Sequence, residues 1–140
     1  MKKILLADDD ESVSQMLGQV LELEHYQVLR ARTGRQTAAM FIAESPELVL
    51  LDLNMPDRSG WEVFELIHHT HPSVPVIIIT ALSQQQERAT NLGIVLMEKP
   101  LDIPLLLEMI RDSLAALDVG MESSRHDEQV GEMAQPDVNR

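Results

Sequence analysis

A chain of 140 residues has room for one domain with a buried core and little besides. Its formal charge of −12, with 11 Lys and Arg scattered rather than clustered, opposes direct binding to nucleic-acid phosphates, and no apolar run approaches the roughly 20 residues of a membrane span. The absence of cysteine excludes disulfides, thiolate metal sites and a cysteine nucleophile, and aromatics at 3% leave Leu, Val, Ile, Ala and Met to fill the interior.

The chain opens on Met1, Lys2 and Lys3 with no signal-peptide apolar segment, so a soluble cytoplasmic protein is expected. Lys3 to Ala7 is a short apolar run ending at carboxylates and reads as a strand buried on both faces. Val13, Met16, Leu17, Val20 and Leu21 then recur at helical spacing, which predicts an amphipathic helix over about 12–24. Gln27 to Ala31 predicts a second strand, Gln36 to Ala43 a short helix, and Leu48 to Leu51 a third strand introduced by Pro46. A turn-rich stretch from Asn54 to Gly60 precedes a helix with Val63, Phe64, Leu66 and Ile67 inward and Trp61 partly on the surface near its start. His68, His69 and His71, beside Pro72 at the helix end, are expected to be exposed and without a role.

Val76 to Ile79 is the clearest strand, and a polar helix over Ser83 to Leu92 follows, ended by Gly93. Val95 to Met97 predicts a brief fifth strand. Pro100 and Pro104 bracket the start of a last helix, with Ile103, Leu106, Leu107, Ile110, Leu114 and Leu117 facing inward. Apolar periodicity stops at about Leu117, so residues 1–118 are expected to form the domain and 119–140 a flexible acidic tail. Five strand–helix units of this kind specify a doubly wound α/β fold, a parallel sheet covered on both faces, with strand order 2-1-3-4-5.

Ligands of such sheets bind beyond the carboxyl ends of the strands, where the strand order reverses. Those ends carry Asp8, Asp9 and Asp10 after the first strand, Asp52 after the third, Thr80 after the fourth, and Lys99 with Pro100 after the fifth. Taken singly, each has an ordinary explanation. Asp8 to Asp10 can cap the first helix, and Asp10 or Glu11 is suited to that; Asp52 can be a turn residue, Thr80 a strand residue and Lys99 a solvated cation. Together they put acids, a hydroxyl and an ammonium into one crevice. Converging carboxylates repel unless a cation neutralises them, and Mg2+, which prefers oxygen ligands, suits the set, with Mn2+ able to replace it. Asp52 could then attack phosphorus to form an acyl phosphate, while Lys99 balances the added charge and the Thr80 hydroxyl donates to a phosphoryl oxygen.

The blocks Ile4 to Glu11, Leu50 to Gly60, Ile79 to Ala81 and Lys99–Pro100 resemble the signature segments of response regulator receiver domains of two-component signalling, over about residues 2–117. The resemblance implies a flavodoxin-like receiver fold with five helices. It makes Asp52 the phosphoacceptor, Asp9 a direct Mg2+ ligand and Asp8 a ligand or water-mediated partner. Asn54 takes the position whose backbone carbonyl completes the metal site, Thr80 that of the switch hydroxyl, Lys99 that of the phosphate-binding lysine, and Pro100 that of a proline often preceded by a cis bond. It also implies a sensor histidine kinase or phosphotransfer protein as donor, a downstream protein as recipient of the signal, and self-catalysed phosphorylation and slow hydrolysis rather than conventional turnover.

Two features depart from the family. Leu96 stands where receivers carry an aromatic switch residue, and the spacings from Thr80 to Gly93 and on to Lys99 are short, which trims the fourth helix. Those docking surfaces, and with them any oligomeric state, are therefore not carried over. The departures leave open a receiver-like interaction module whose output does not depend on phosphorylation. Asp8-x-Asp10 after the first strand also resembles the nucleophile motif of haloacid-dehalogenase-type phosphatases, though without their cap insertion. With no sequence for an output domain and an acidic tail, output by protein contact is expected in preference to transcription control.

Overall fold

The computed structural model describes residues 1–81 and 86–130, without the side chains of 86, 87 and 118–130. Along the chain run β1 (Lys3–Ala7), α1 (Glu11–Leu23), β2 (Gln27–Ala31), α2 (Gly34–Glu44), β3 (Leu48–Asp52), α3 (Gly60–Thr70), β4 (Val76–Thr80), α4 (Gln86–Asn91), β5 (Val95–Glu98) and α5 (Ile103–Val130). The strands form one parallel sheet in the order β2-β1-β3-β4-β5, the expected doubly wound arrangement.

Strand residues alternate between two cores, because successive side chains point to opposite sheet faces. Leu5, Ala7, Val49, Leu51 and Ile78 meet Phe41 of α2, Trp61, Val63, Phe64 and Ile67 of α3, and Ala89 of α4. Ile4, Leu6, Leu48, Leu50, Ile77 and Ile79 meet Leu17 and Leu21 of α1 and Leu106, Ile110 and Leu114 of α5. Each fully buried Leu or Ile contributes about 1.5–3 kcal/mol, and a one-residue slip of a strand would send its side chains to the wrong layer. This double burial fixes the register. Ala7 lies opposite Leu51, so the residues that follow them, Asp8 and Asp52, emerge side by side where the strand order reverses.

Several expectations are corrected. Met16 is exposed and Ser14 takes the inward place on α1, because its hydroxyl accepts from Arg30 Nε at 2.8 Å and is thereby satisfied when buried. Leu66 is only half-buried. Trp61 is buried beneath the Arg88 guanidinium of α4, whose carbon lies 4.4 Å from the ring centroid. The helix over α2 begins earlier than predicted because Thr33 caps it, its hydroxyl accepting from Gln36 N at 3.0 Å.

The last helix continues to Val130, well past Leu117. Periodicity ends where the core partner ends, whereas the chain beyond is rich in helix-tolerant residues and meets no proline before Pro136. Part of the predicted fourth helix falls in 82–85 and the end of the expected tail in 131–140, both outside the described residues.

Candidate functional site

The crevice is built from the strand ends. Asp8 follows β1, and its backbone N–H donates to Ala31 O at 3.0 Å, which ties it to the end of β2. Its side chain is fully buried, with Oδ1 accepting from Asp10 N at 2.9 Å. Asp10 itself caps α1, accepting from Val13 N at 3.2 Å, so the capping role belongs to Asp10 while Asp8 faces the crevice. Asp52 closes β3, is 4% exposed, and accepts from Asn54 N at 3.1 Å through Oδ1 and from Lys99 Nζ at 3.1 Å through Oδ2.

Lys99 reaches both acids, its Nζ also lying 2.9 Å from Asp8 Oδ2. Its backbone N–H donates to Thr80 O at 2.8 Å, locking the β5–α5 connection to the end of β4, and the Lys99–Pro100 peptide is cis. Thr80 is fully buried at the end of β4, opposite Glu98 in the ladder. Asp9 is exposed beside them, and Asn54 stands exposed two residues past Asp52.

Burial raises the Asp52 carboxyl from 3.8 to about 6; the nearby Asp8 charge adds to this, and the Asn54 N–H and Lys99 ammonium oppose it. Burial pulls Lys99 down, but hydrogen bonding and charge from Asp8 and Asp52 outweigh it and hold the ammonium above its ordinary value. One ammonium therefore serves two buried acids. Asp8 Oδ2 is buried, with Lys99 Nζ at 2.9 Å as its ion-pair partner. Asp8, Asp9 and Asp52 can present carboxylate oxygens that all lie within 4.8 Å of one another. Three carboxylates around a single ammonium leave negative charge uncompensated, and an all-oxygen cluster of this kind fits a hard divalent cation.

The residues around the cluster sort themselves clearly. Gly60 opens α3 so close to the strand end that a Cβ there would lie 2.5 Å from Leu53 Cα and 2.7 Å from Asp52 O. Leu96 is half-buried and packs against the core layer that holds Trp61. His68, His69 and His71 are exposed and away from the cluster; His68 stacks on Phe64 at 5.3 Å and His71 meets Phe41 edge-on at 5.0 Å. Sequence reasoning missed Asp57, which holds the loop after β3 against α2, since nothing in a turn-rich stretch announces a partner on another helix.

The profile of the family described as Response regulator receiver domain matches residues 4–111. This chain belongs to the response regulator receiver family. Among curated relatives, the transcriptional regulatory protein CpxR of Escherichia coli K12 is 37% identical over 92 residues, 66% of this chain and 39% of that protein. The transcriptional regulatory protein GlrR of the same organism is 34% identical over 114 residues, 79% of this chain and 26% of that protein. The receiver thus spans about two fifths or less of the length of these relatives.

Among solved structures, a CheY-like receiver domain protein of Methanospirillum hungatei superposes with a TM-score of 0.80 at 30% identity, over 86% of this chain and 98% of that one. The response regulator TrrA of Thermotoga maritima, solved in complex with Mg2+-BeF, gives 0.75 at 27% identity, over 81% and 99%. Among the described residues, no helix of the receiver is long and apolar enough to cross a membrane.

Proposed function

We propose that this receiver accepts a phosphoryl group on Asp52 from a phosphohistidine of a sensor kinase or phosphotransfer protein, in a cytoplasmic signalling relay. The observation that carries the reading is Lys99 Nζ lying 3.1 Å from Asp52 and 2.9 Å from Asp8 at the point of strand reversal. Asp8, Asp9, Asp52 and the Asn54 backbone carbonyl are the groups that would hold Mg2+, or Mn2+ in its place. When bound, such a cation would supply positive charge to offset that of the carboxylates and of the incoming phosphoryl group.

A carboxylate oxygen of Asp52 attacks phosphorus, the P–O bond forms as the P–N bond to the donor imidazole breaks, and the imidazole leaves with the electron pair and takes up a proton. Lys99 then pairs with the phosphoryl oxygens, and the Thr80 hydroxyl donates to one of them. Attack by water later cleaves the acyl phosphate, so the receiver catalyses its own resetting without being a conventional turnover enzyme. The added charge is read by a downstream protein, in keeping with the net charge of −12, which disfavours direct contact of this chain with nucleic acid.

Incubation with Mg2+ and a small acyl phosphodonor is expected to give a hydroxylamine-labile mass increase of one phosphoryl group, absent in Asp52→Asn. No adduct on the parent protein would sink the reading. A second reading, an interaction module indifferent to phosphate, is favoured by Leu96 in place of the switch aromatic. In that case the labelled and unlabelled receiver would bind the downstream partner equally; a change in affinity on labelling would remove it. The haloacid-dehalogenase-type alternative loses its support, since the family model that matches residues 4–111 is that of the response regulator receiver domain.

A further inference from the structure

The loop between β3 and α3 is fastened to α2 by a side chain that the phosphoryl-transfer reading leaves without a task. Asp57, three residues past Asn54, has φ +66°, a left-handed conformation in which glycine is the default and a Cβ is disfavoured. Its carboxylate spans to the first turn of α2, Oδ1 accepting from Gly34 N at 3.0 Å and Oδ2 from Arg35 N at 3.3 Å. Arg35 Nε lies 3.9 Å from the same Oδ2.

With Thr33 accepting from Gln36 N and Thr37 N, these contacts satisfy the four N–H groups that open α2. The approach is close enough to dictate residue type on both sides. A Cβ at Gly34 would lie 2.5 Å from Arg58 Cβ and 3.0 Å from Arg58 O. The segment from Asp52 to Gly60 is held within itself by Asn54 N on Asp52 Oδ1 and by Gly60 N on Leu53 O at 3.0 Å. It reaches out to α2 through the Asp57 carboxylate, which takes two backbone N–H groups, and through Met55, whose sulfur accepts from the Thr37 hydroxyl at 3.9 Å.

We propose that Asp57 is a positioning residue for the divalent cation: by clamping the loop to α2 it holds the Asn54 segment in register with Asp52 and Asp9. The proposal rests on the reading of this site as a Mg2+-dependent phosphoacceptor. A plain capping role for Asp57 would stabilise α2 and leave the cation unaffected. Two variants separate the alternatives. Asp57→Gly relaxes the left-handed backbone while removing both acceptors, and Asp57→Asn tolerates that backbone and keeps one acceptor.

Mg2+ titration of the full chain, followed through the Asn54 backbone amide by NMR, is the measurement. Asp57→Gly is expected to raise the half-saturating Mg2+ concentration about tenfold, the lower end of the losses for groups that orient a metal site without ligating it. Asp57→Asn should fall between it and the parent. At saturating Mg2+ the maximal rate of labelling by the phosphodonor should stay within about twofold of the parent, a split that lost helix stability does not produce. Unchanged half-saturation in Asp57→Gly, with shifted Gly34 and Arg35 amides showing that the clamp has opened, would overturn the proposal alone. Should Asp57→Gly not fold, an unchanged half-saturation in Asp57→Asn would do so. A parent whose amides ignore Mg2+ would overturn the cation site itself and the proposal with it.

Discussion

Burial of the Asp52 carboxyl costs stability whenever it is charged. A carboxyl raised to about 6 binds its proton more tightly folded than unfolded, so folding stability falls as pH rises from about 4 through 6 and stays lowered above that window. Lys99 works the other way, its stabilisation present at neutral pH and lost only on the alkaline side as its raised pKa is crossed. In the absence of divalent cation, Asp52→Asn is expected to be more stable than the parent at pH 7 by on the order of 1–3 kcal/mol, the gain shrinking toward zero below about pH 4. Urea unfolding at a series of pH values measures this, and a gain independent of pH would show that burial and charge do not act on Asp52 as described.

At the scale of elements, the junction of β3 and α3 is the least forgiving. A Cβ at Gly60 meets backbone atoms, Leu53 Cα at 2.5 Å and Asp52 O at 2.7 Å, and neither can rotate out of the way. Gly60→Ala is expected to destabilise the fold by about 2–4 kcal/mol and to slow labelling of Asp52, since the overlap displaces the strand end that carries it. A loss below about 0.5 kcal/mol by denaturant titration would mean that the loop yields freely. What the sequence revealed at this scale follows from the physics of parallel sheets. β1, β3 and β4 are buried on both faces and so appear as unbroken apolar runs, and their ends carry the acids and the hydroxyl in order, with the ammonium following the shorter β5. Partners remote in sequence were illegible: Arg30 for Ser14, Arg88 for Trp61, and Gly34 with Arg35 for Asp57. The end of α5 was misjudged because periodicity reports a neighbour to pack against, whereas a helix can outlast its neighbour.

For the whole molecule, α5 joins one of the two core layers, and the last of its residues buried there, among the described residues, is Leu114. A chain ended at residue 118 is therefore expected to keep its unfolding free energy within about 0.5 kcal/mol of the parent, and a larger loss would show that the end of the chain packs on the domain. The contact between Arg88 and Trp61 joins α4 to the first turn of α3, after the β3–α3 loop. Trp61 is the chain's single tryptophan, so indole emission comes from one place, where the ring lies beneath the Arg88 guanidinium. The receiver thus carries a built-in optical probe: light from one indole originates at the contact between the start of α3 and α4, without a label and without disturbing the crevice.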